Sequence, residues 1–166
     1  MYQTILVPLD GSPGAEAILP QVESLARQHQ AKVIFLKVIE SQLLYGPPKQ
    51  GQTQFDSLDE IPRLKKARRY LQVKQGLFRA RGLKAEIRVE EGPVVATIIK
   101  VADHKQADVI VMTGQNRTGW SRLFHRSVAA DVSDHADQPV LLIQSSDSEP
   151  LLISSSSLIN ARRASE

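Results

Sequence analysis

The sequence contains no cysteine and no apolar run long enough to cross a bilayer, and each absence excludes a class of protein. Without cysteine there is no disulfide framework, no thiolate metal site and no cysteine nucleophile. The N-terminal residues "MYQTILVPLDGS" lack the basic and apolar segments of a secretory signal. We therefore expect a cytoplasmic protein with no membrane association.

The composition that remains is typical of one soluble globular domain. The chain has 166 residues, of which 42% are apolar and 23% are charged. The net charge is only +3, but positive charge is concentrated in residues 63–84, which hold nine Lys or Arg and no Asp or Glu. Such a run can attract phosphates or acidic partners.

The same run also has the pattern of an amphipathic helix. Leu64, Ala67, Leu71 and Phe78 recur at helical spacing, which leaves the basic residues mainly outside the apolar stripe. A solvated helix face is therefore the preferred interpretation, and an anion-binding or nucleic-acid-binding face is the alternative.

Strand and helix patterns alternate along most of the chain. Four runs rich in β-branched and aliphatic residues predict buried parallel strands, and a fifth, which alternates apolar and charged residues, predicts a half-exposed edge strand. The buried strands are 4–9, 32–38, 108–113 and 139–144, and the edge strand is 84–90. Helices are predicted at 13–29, 58–81, 93–105 and 125–136.

This alternation predicts a single doubly wound α/β domain over residues 1–145, with helices on both faces of a five-stranded parallel sheet. Ser12 is the predicted N-cap of the first helix, with Pro13 at its first position. Residues 41–57 form a long loop rich in Gly, Pro and Gln, as expected for a lid or a mobile excursion.

The serine-rich residues 146–166 predict a disordered C-terminal tail. The alternative is that the tail packs on the domain through its apolar residues 151–153. Removing residues 148–166 is expected to leave the fold intact, because the strand and helix alternation is complete before them. A large drop in melting temperature on truncation would show instead that the tail packs.

In an open doubly wound sheet, ligands bind beyond the carboxyl ends of the strands, where the strand order reverses. The strand order 3-2-1-4-5 places that switch point between the first and fourth strands. The loops that leave these strands are "LDGSPG" and "TGQNRTG", both rich in glycine and polar residues. The topology therefore selects these two loops as the place for a ligand.

At these loops the sequence resembles the universal stress protein family, a branch of the nucleotide-binding α-hydrolase-like folds. The resemblance covers residues 2–144 and is carried by "ILVPLDGSPGAEAIL", "LKVIE" and "ADVIVMTGQNRTGWSRLFHRSVAADVSDHADQPVLLI". It implies the same strand order and an adenine nucleotide, such as ATP, ADP or AMP, at the switch point. The residues that it implies for the nucleotide are Pro8, Leu9, Asp10, Val38, Met112, Gly114, Asn116, Arg126, Ser127 and Val128.

The phosphate-binding loop departs from the family pattern G-x2-G-x9-G-[ST]. Its three glycine positions fall on Thr113, Asn116 and Arg126, and only the hydroxyl of Ser127 is kept. Asn116 can adopt a positive φ, whereas Thr113 adds a branched side chain beside the backbone. Arg126 either crowds the phosphate pocket or pairs with the phosphates directly. The family also has a branch that lacks the pattern and is thought not to bind ATP.

Several of these residues have a structural role as an alternative. Asp10 is a ribose ligand or a turn residue, and Ser127 is a phosphate contact, a phosphorylation target or a helix cap. The four histidines lie on different predicted elements, so no metal site is predicted. We identify no nucleophile elbow, P-loop lysine or carboxylate pair, and we assign no catalytic residue.

These observations indicate a regulatory or stress-protective dimer with weakened adenine-nucleotide binding, and no cofactor is certain. The alternatives are a nucleotide-independent interaction module, a weak ATPase switch and an anion or nucleic-acid binder. The homodimer is expected to form through the last strand, Pro139 to Gln144, whose edge would otherwise stay unpaired.

Overall fold

The computed structural model describes residues 1–40, 56–114, 128–144 and 151–153, with the backbone alone at 56–60 and 151–153. These residues form one six-stranded sheet in the order β3-β2-β1-β4-β5-β6. The strands are β1 (Thr4–Pro8), β2 (Lys32–Ile39), β3 (Ala85–Glu91), β4 (Val109–Gly114), β5 (Val140–Gln144) and β6 (Leu151–Ile153). The helices are α1 (Pro13–Glu16), α2 (Leu19–His29), α3 (Asp56–Ala80), α4 (Val94–His104) and α5 (Val128–His135).

The first five strands are parallel and follow the predicted order 3-2-1-4-5, which confirms the doubly wound α/β fold. The strand β1 lies between β2 and β4, with Ile5 opposite both Val33 and Val109. The reversal of strand order therefore falls between β1 and β4, as the sequence predicts.

Each face of the sheet has its own apolar core. One core contains Phe35 and Phe78, whose rings meet edge to face at 4.9 Å, and is covered by α1, α2 and α3. The other contains Leu36 and Ile98 and is covered by α4 and α5. Burying one such side chain contributes roughly 1.5–3 kcal/mol, so the central strands are fixed on both faces.

The helix that was predicted over 13–29 is divided in two. Its start is as predicted, because the Ser12 hydroxyl accepts a hydrogen bond from the Ala15 N–H at 3.1 Å, with Pro13 following. The first segment ends at Glu16, and α2 begins at Leu19 with Pro20 in its first turn. Proline has no N–H to donate to the preceding turn, so it cannot continue α1.

The long helix α3 buries the stripe that its sequence pattern predicts. Ala67, Leu71 and Phe78 are buried and Leu64 is half-buried, while most of the basic residues between them are exposed. The strand β3, which α3 packs against, lies at the sheet edge and is only partly buried, as its alternating pattern predicts.

The C-terminal tail differs from its prediction at three residues. Leu151 to Ile153 form β6, which pairs antiparallel with β5 so that Leu152 lies opposite Leu141. The expectation of disorder is therefore corrected for these residues, because the free edge of β5 offers backbone partners that a sequence pattern does not show. The rest of the tail, like the expected lid at 41–55, lies outside the described residues.

None of the described helices is both long and apolar enough to cross a bilayer.

Candidate nucleotide site

A cavity of about 260 Å³ lies at the carboxyl ends of β1, β2 and β4. We name it the switch-point cavity, because it lies where the strand order reverses, between the end of β1 and the end of β4. Helices α4 and α5 contribute its other walls. Its lining residues are Pro8, Leu9, Asp10, Ala15, Leu36, Val38, Val94, Ile98, Met112, Thr113, Val128 and Ala129.

The structure brings together six of the residues that the family resemblance implies for a nucleotide. Those six, from β1, β2, β4, α5 and the loop after β1, are Pro8, Leu9, Asp10, Val38, Met112 and Val128. Gly114 is the last residue of β4, where it pairs with Gln144 and does not line the described cavity. Asn116, Arg126 and Ser127 lie outside the described residues.

Several lining residues were not singled out from the sequence. Leu36 is the residue of β2 that lies opposite Pro8, and Val94 and Ile98 come from α4. Leu36 and Val38 are two residues apart in β2, so the period of a strand places both on one face. That period could have identified Leu36, but the approach of α4 depends on the tertiary packing.

Asp10 is held in a tight turn directly after β1. Its carboxylate accepts a hydrogen bond from the Ser12 N–H at 2.8 Å, and Gly11 between them has a φ of +89°. Only glycine adopts that conformation without strain, so the sequence Asp-Gly-Ser is needed for the bend. The turn places the exposed Asp10 at the mouth of the switch-point cavity.

The charge on Asp10 is stabilised by its neighbours. Partial burial alone would raise the pKa of Asp10, but hydrogen bonds from Ser12 and the positive charge of Lys37 outweigh it and hold the pKa below its ordinary value. Asp10 therefore stays ionised at neutral pH and is available as a hydrogen-bond acceptor.

The switch-point cavity combines apolar walls with this one carboxylate. Walls of Leu, Val, Ile and Met suit a flat, uncharged ring, and a carboxylate at the mouth can accept hydrogen bonds from amine or hydroxyl groups. The described residues that line it include no cation. These features define a doubly wound α/β domain with a largely apolar cavity at its switch point.

Comparison with known proteins identifies the family. The family model described as universal stress protein family matches residues 1–144. A universal stress protein of Synechocystis sp. is 32% identical over 145 residues, which make up 86% of this chain and 86% of that protein. The chain therefore belongs to the universal stress protein family.

Solved structures share the fold over most of their length. A protein from the universal stress protein family of Burkholderia pseudomallei is 28% identical, with a TM-score of 0.68, and the match covers 86% of this chain and 96% of that one. The universal stress protein from Archaeoglobus fulgidus in complex with dAMP is 25% identical, with a TM-score of 0.56, and the match covers 86% and 97% of the two chains.

Proposed function

We propose that this universal stress protein is a cytoplasmic regulatory or protective protein that binds an adenine nucleotide in its switch-point cavity. The chain belongs to the universal stress protein family, and the proposal adds that it binds a nucleotide. We expect the binding to be weak, because the loop pattern that holds phosphates in the family has lost its three glycines at Thr113, Asn116 and Arg126.

The observation that carries the proposal is the size and lining of the cavity. Its volume of about 260 Å³ lies just below the roughly 300–1,000 Å³ that drug-sized ligands occupy, so it is large enough for one flat ring system. An adenine ring suits the apolar walls formed by Leu36, Ile98 and Met112. Asp10 is placed to accept a hydrogen bond from a ribose hydroxyl at the mouth. The relative from Archaeoglobus fulgidus, in complex with dAMP, supports the same class of ligand.

Calorimetric titration of the full chain with ATP, ADP and AMP tests the proposal. The variant Val128→Trp should abolish binding, because Val128 lines the cavity and its 41% exposure leaves room for a larger side chain without unfolding. The matched control is Val73→Trp on α3, where Val73 is 59% exposed and does not line the switch-point cavity.

Two results would contradict the proposal. One is an equal affinity in Val128→Trp and the wild type, which would place the nucleotide elsewhere. The other is no binding of any of the three nucleotides at millimolar concentration, together with no nucleotide released by denaturing the purified protein. The second result would favour the nucleotide-independent interaction module.

One observation favours that second candidate. The Asp10 carboxylate already accepts a hydrogen bond from the Ser12 N–H, so the turn accounts for the aspartate without a ligand. In an interaction module, Asp10 and Ser12 would be conformational residues only. Substitutions of Asp10 that keep or remove its side-chain oxygen separate the two roles.

We also propose a homodimer through β5. In the structure the outer edge of β5 is paired with β6, so β6 and a second copy of β5 would use the same backbone groups. Dimerisation through β5 therefore requires that β6 leaves the edge. The truncations in the Discussion test this competition.

A further inference from the structure

A second and larger cavity, of about 450 Å³, lies beside the switch-point cavity on the opposite face of the sheet. We name it the α3 cavity, because the carboxyl ends of β1 and β2 form one side and the first half of α3 forms the other. Its lining residues are Asp10, Gly11, Lys37, Val38, Ile39, Arg63, Lys66, Ala67 and Tyr70. Only Asp10 and Val38 also line the switch-point cavity.

Lys37 lies at the base of the α3 cavity and is fixed there by two contacts. Its ammonium donates a hydrogen bond to the Asp10 carbonyl oxygen at 2.6 Å, and it lies 5.4 Å from the centre of the Tyr70 ring. Lys37 is only half-buried, so the ammonium still has donors for a further partner. A cation held in this way is positioned before any ligand arrives.

Two more cations reach the same cavity from α3. Arg63 and Lys66 are three residues apart, which places them on one face of the helix, and both line the α3 cavity. The pKa of Lys37 lies below its ordinary value, mainly because of burial. The negative charge of Asp10 opposes this decrease, and the positive charge of Lys66 adds to it. Lys66 is therefore close enough to Lys37 to repel it.

The local charge is not neutralised by the described side chains. Lys37, Arg63 and Lys66 carry three positive charges and Asp10 carries one negative charge, which leaves +2 among the lining residues. The described ion pairs include neither Arg63 nor Lys66. An anion of charge near −2 would relieve the repulsion between the cations.

The rest of the cavity suits an organic group. Ala67 is buried, Ile39 is half-buried, and both are apolar residues that line the cavity together with Tyr70. The Tyr70 hydroxyl is buried and makes no hydrogen bond of normal geometry. Burial is the largest cause that raises the pKa of Tyr70, and the neighbouring Glu16 carboxylate raises it further. The cavity thus offers an aromatic ring surface next to the cations.

We propose that the α3 cavity binds a small phosphorylated organic molecule, with its phosphate among Lys37, Arg63 and Lys66 and its organic part against Tyr70, Ala67 and Ile39. A phosphate monoester carries about −1.5 to −2 charges at neutral pH, which matches the excess charge of the lining. The cations converge on a concave site that includes the half-buried Lys37, so a small ligand fits it better than an extended nucleic acid. This site does not depend on nucleotide binding in the switch-point cavity.

Calorimetric titration of the full chain with phenyl phosphate, and with inorganic phosphate for comparison, tests this proposal. The double variant Arg63→Gln/Lys66→Gln removes two cations of the site. The matched control is Lys65→Gln/Arg68→Gln, which makes the same charge change at exposed positions of α3 that do not line the cavity. All four positions are exposed, so both variants should keep the wild-type melting temperature.

We expect phenyl phosphate to bind the wild type more tightly than inorganic phosphate does, because only the ester has a ring for Tyr70. The dissociation constant for phenyl phosphate should rise at least about tenfold in Arg63→Gln/Lys66→Gln and by less than about twofold in the control. An equal loss in both variants would show diffuse surface charge and overturn the proposal, as would the absence of binding to the wild type.

The variant Val128→Trp separates this proposal from the proposed function. It fills the switch-point cavity and leaves the α3 cavity unchanged, so it should lose nucleotide binding and keep phenyl phosphate binding. Loss of phenyl phosphate binding in Val128→Trp would place the phosphorylated ligand in the switch-point cavity and refute the proposal. If no nucleotide binds the wild type, phenyl phosphate binding with the expected variant pattern still supports the α3 cavity.

Discussion

Asp10 illustrates how one residue takes part in a turn and in two cavities. Its carboxylate holds the Ser12 N–H, its carbonyl oxygen accepts a hydrogen bond from Lys37, and the residue lines both the switch-point cavity and the α3 cavity. The turn must therefore be intact before either site has its shape. A substitution at Asp10 combines conformational and binding effects, and the choice of side chain can separate them.

We predict that Asp10→Ala lowers the free energy of unfolding by about 1 kcal/mol, because the Ser12 N–H loses its acceptor. Asp10→Asn keeps a side-chain oxygen at that position, so it should cost less than about half of that amount. Urea denaturation measures both. If Asp10 is a ligand, Asp10→Asn will also weaken AMP binding; unchanged affinity in Asp10→Asn would limit the residue to the turn.

A second prediction at this scale concerns Arg126, where the family pattern has glycine. We expect Arg126→Gly to create or strengthen ATP binding, because a side chain at that position crowds the volume of the phosphates. Calorimetry with ATP on the wild type and the variant measures the change. The opposite result, micromolar binding by the wild type that the variant loses, would make Arg126 a phosphate ligand, whose charge-assisted contact contributes roughly 1.5–3 kcal/mol.

At the scale of the elements, α3 packs on the sheet and also contacts α1. Its buried stripe packs on the sheet, and Lys74 pairs with Glu16 of α1 at 2.5 Å while its ammonium also lies 5.3 Å from the centre of the Tyr70 ring. Lys74 is mostly shielded from solvent, because only 14% of its side chain is exposed. The contact fixes α1, and so the turn before it, against α3.

The Glu16–Lys74 pair predicts a pH dependence of stability. The Lys74 hydrogen bond is the largest influence on Glu16, and the pKa of Glu16 lies below its ordinary value of 4.5. A lowered pKa favours folding while Glu16 is ionised, so this contribution is complete above pH 4.5 and is lost as the pH falls through the pKa of the folded state.

Glu16→Gln should therefore reduce the loss of stability between pH 5 and pH 3, by about 0.2–1 kcal/mol, the range of partly exposed ion pairs. Urea unfolding over this pH range measures the effect. The double variant Glu16→Gln/Lys74→Gln is the control, and it should show the same pH dependence as Glu16→Gln alone. If Glu16→Gln keeps the wild-type pH dependence of the free energy of unfolding, the ion pair is not the source of that dependence.

At the scale of the whole molecule, the edges of the sheet determine how the domain can associate. The strand β3 forms one edge of the sheet, and its side chains are mostly half-exposed and partly charged. At the other edge, β6 pairs with β5. A strand edge can pair with only one neighbour at a time, so in the proposed homodimer the tail and a second molecule would compete for β5. The tail would then be a determinant of the oligomeric state.

We predict that removing residues 148–166 shifts the monomer–dimer equilibrium toward the dimer, since the edge of β5 loses β6. Removing residues 154–166 is the matched control, because it shortens the tail and keeps β6. Sedimentation velocity at micromolar concentration measures the equilibrium, and thermal unfolding should show that both truncated chains keep the fold. A weaker dimer in the first truncation would mean that β6 is part of the interface rather than a competitor.

The sequence by itself determined which segments form strands and helices, which face of each is buried and how the turn after β1 is made. Those features follow from local patterns: short runs such as 32–38 must be buried on both faces, and the stripe of Ala67, Leu71 and Phe78 must face the sheet. Asp10, Gly11 and Ser12 also form their turn through contacts within three residues.

Only the tertiary structure decided which distant residues share a cavity and which backbone groups stay unpaired. Lys37, Arg63 and Lys66 meet in the α3 cavity because α3 packs at a particular height over β2, and no spacing within the chain encodes that height. Residues 151–153 form β6 because the edge of β5 lies within their reach, although their own pattern is too short to predict a strand. Local periodicity fixes which face of an element is buried, whereas the positions of packed elements relative to one another depend on side-chain contacts between them.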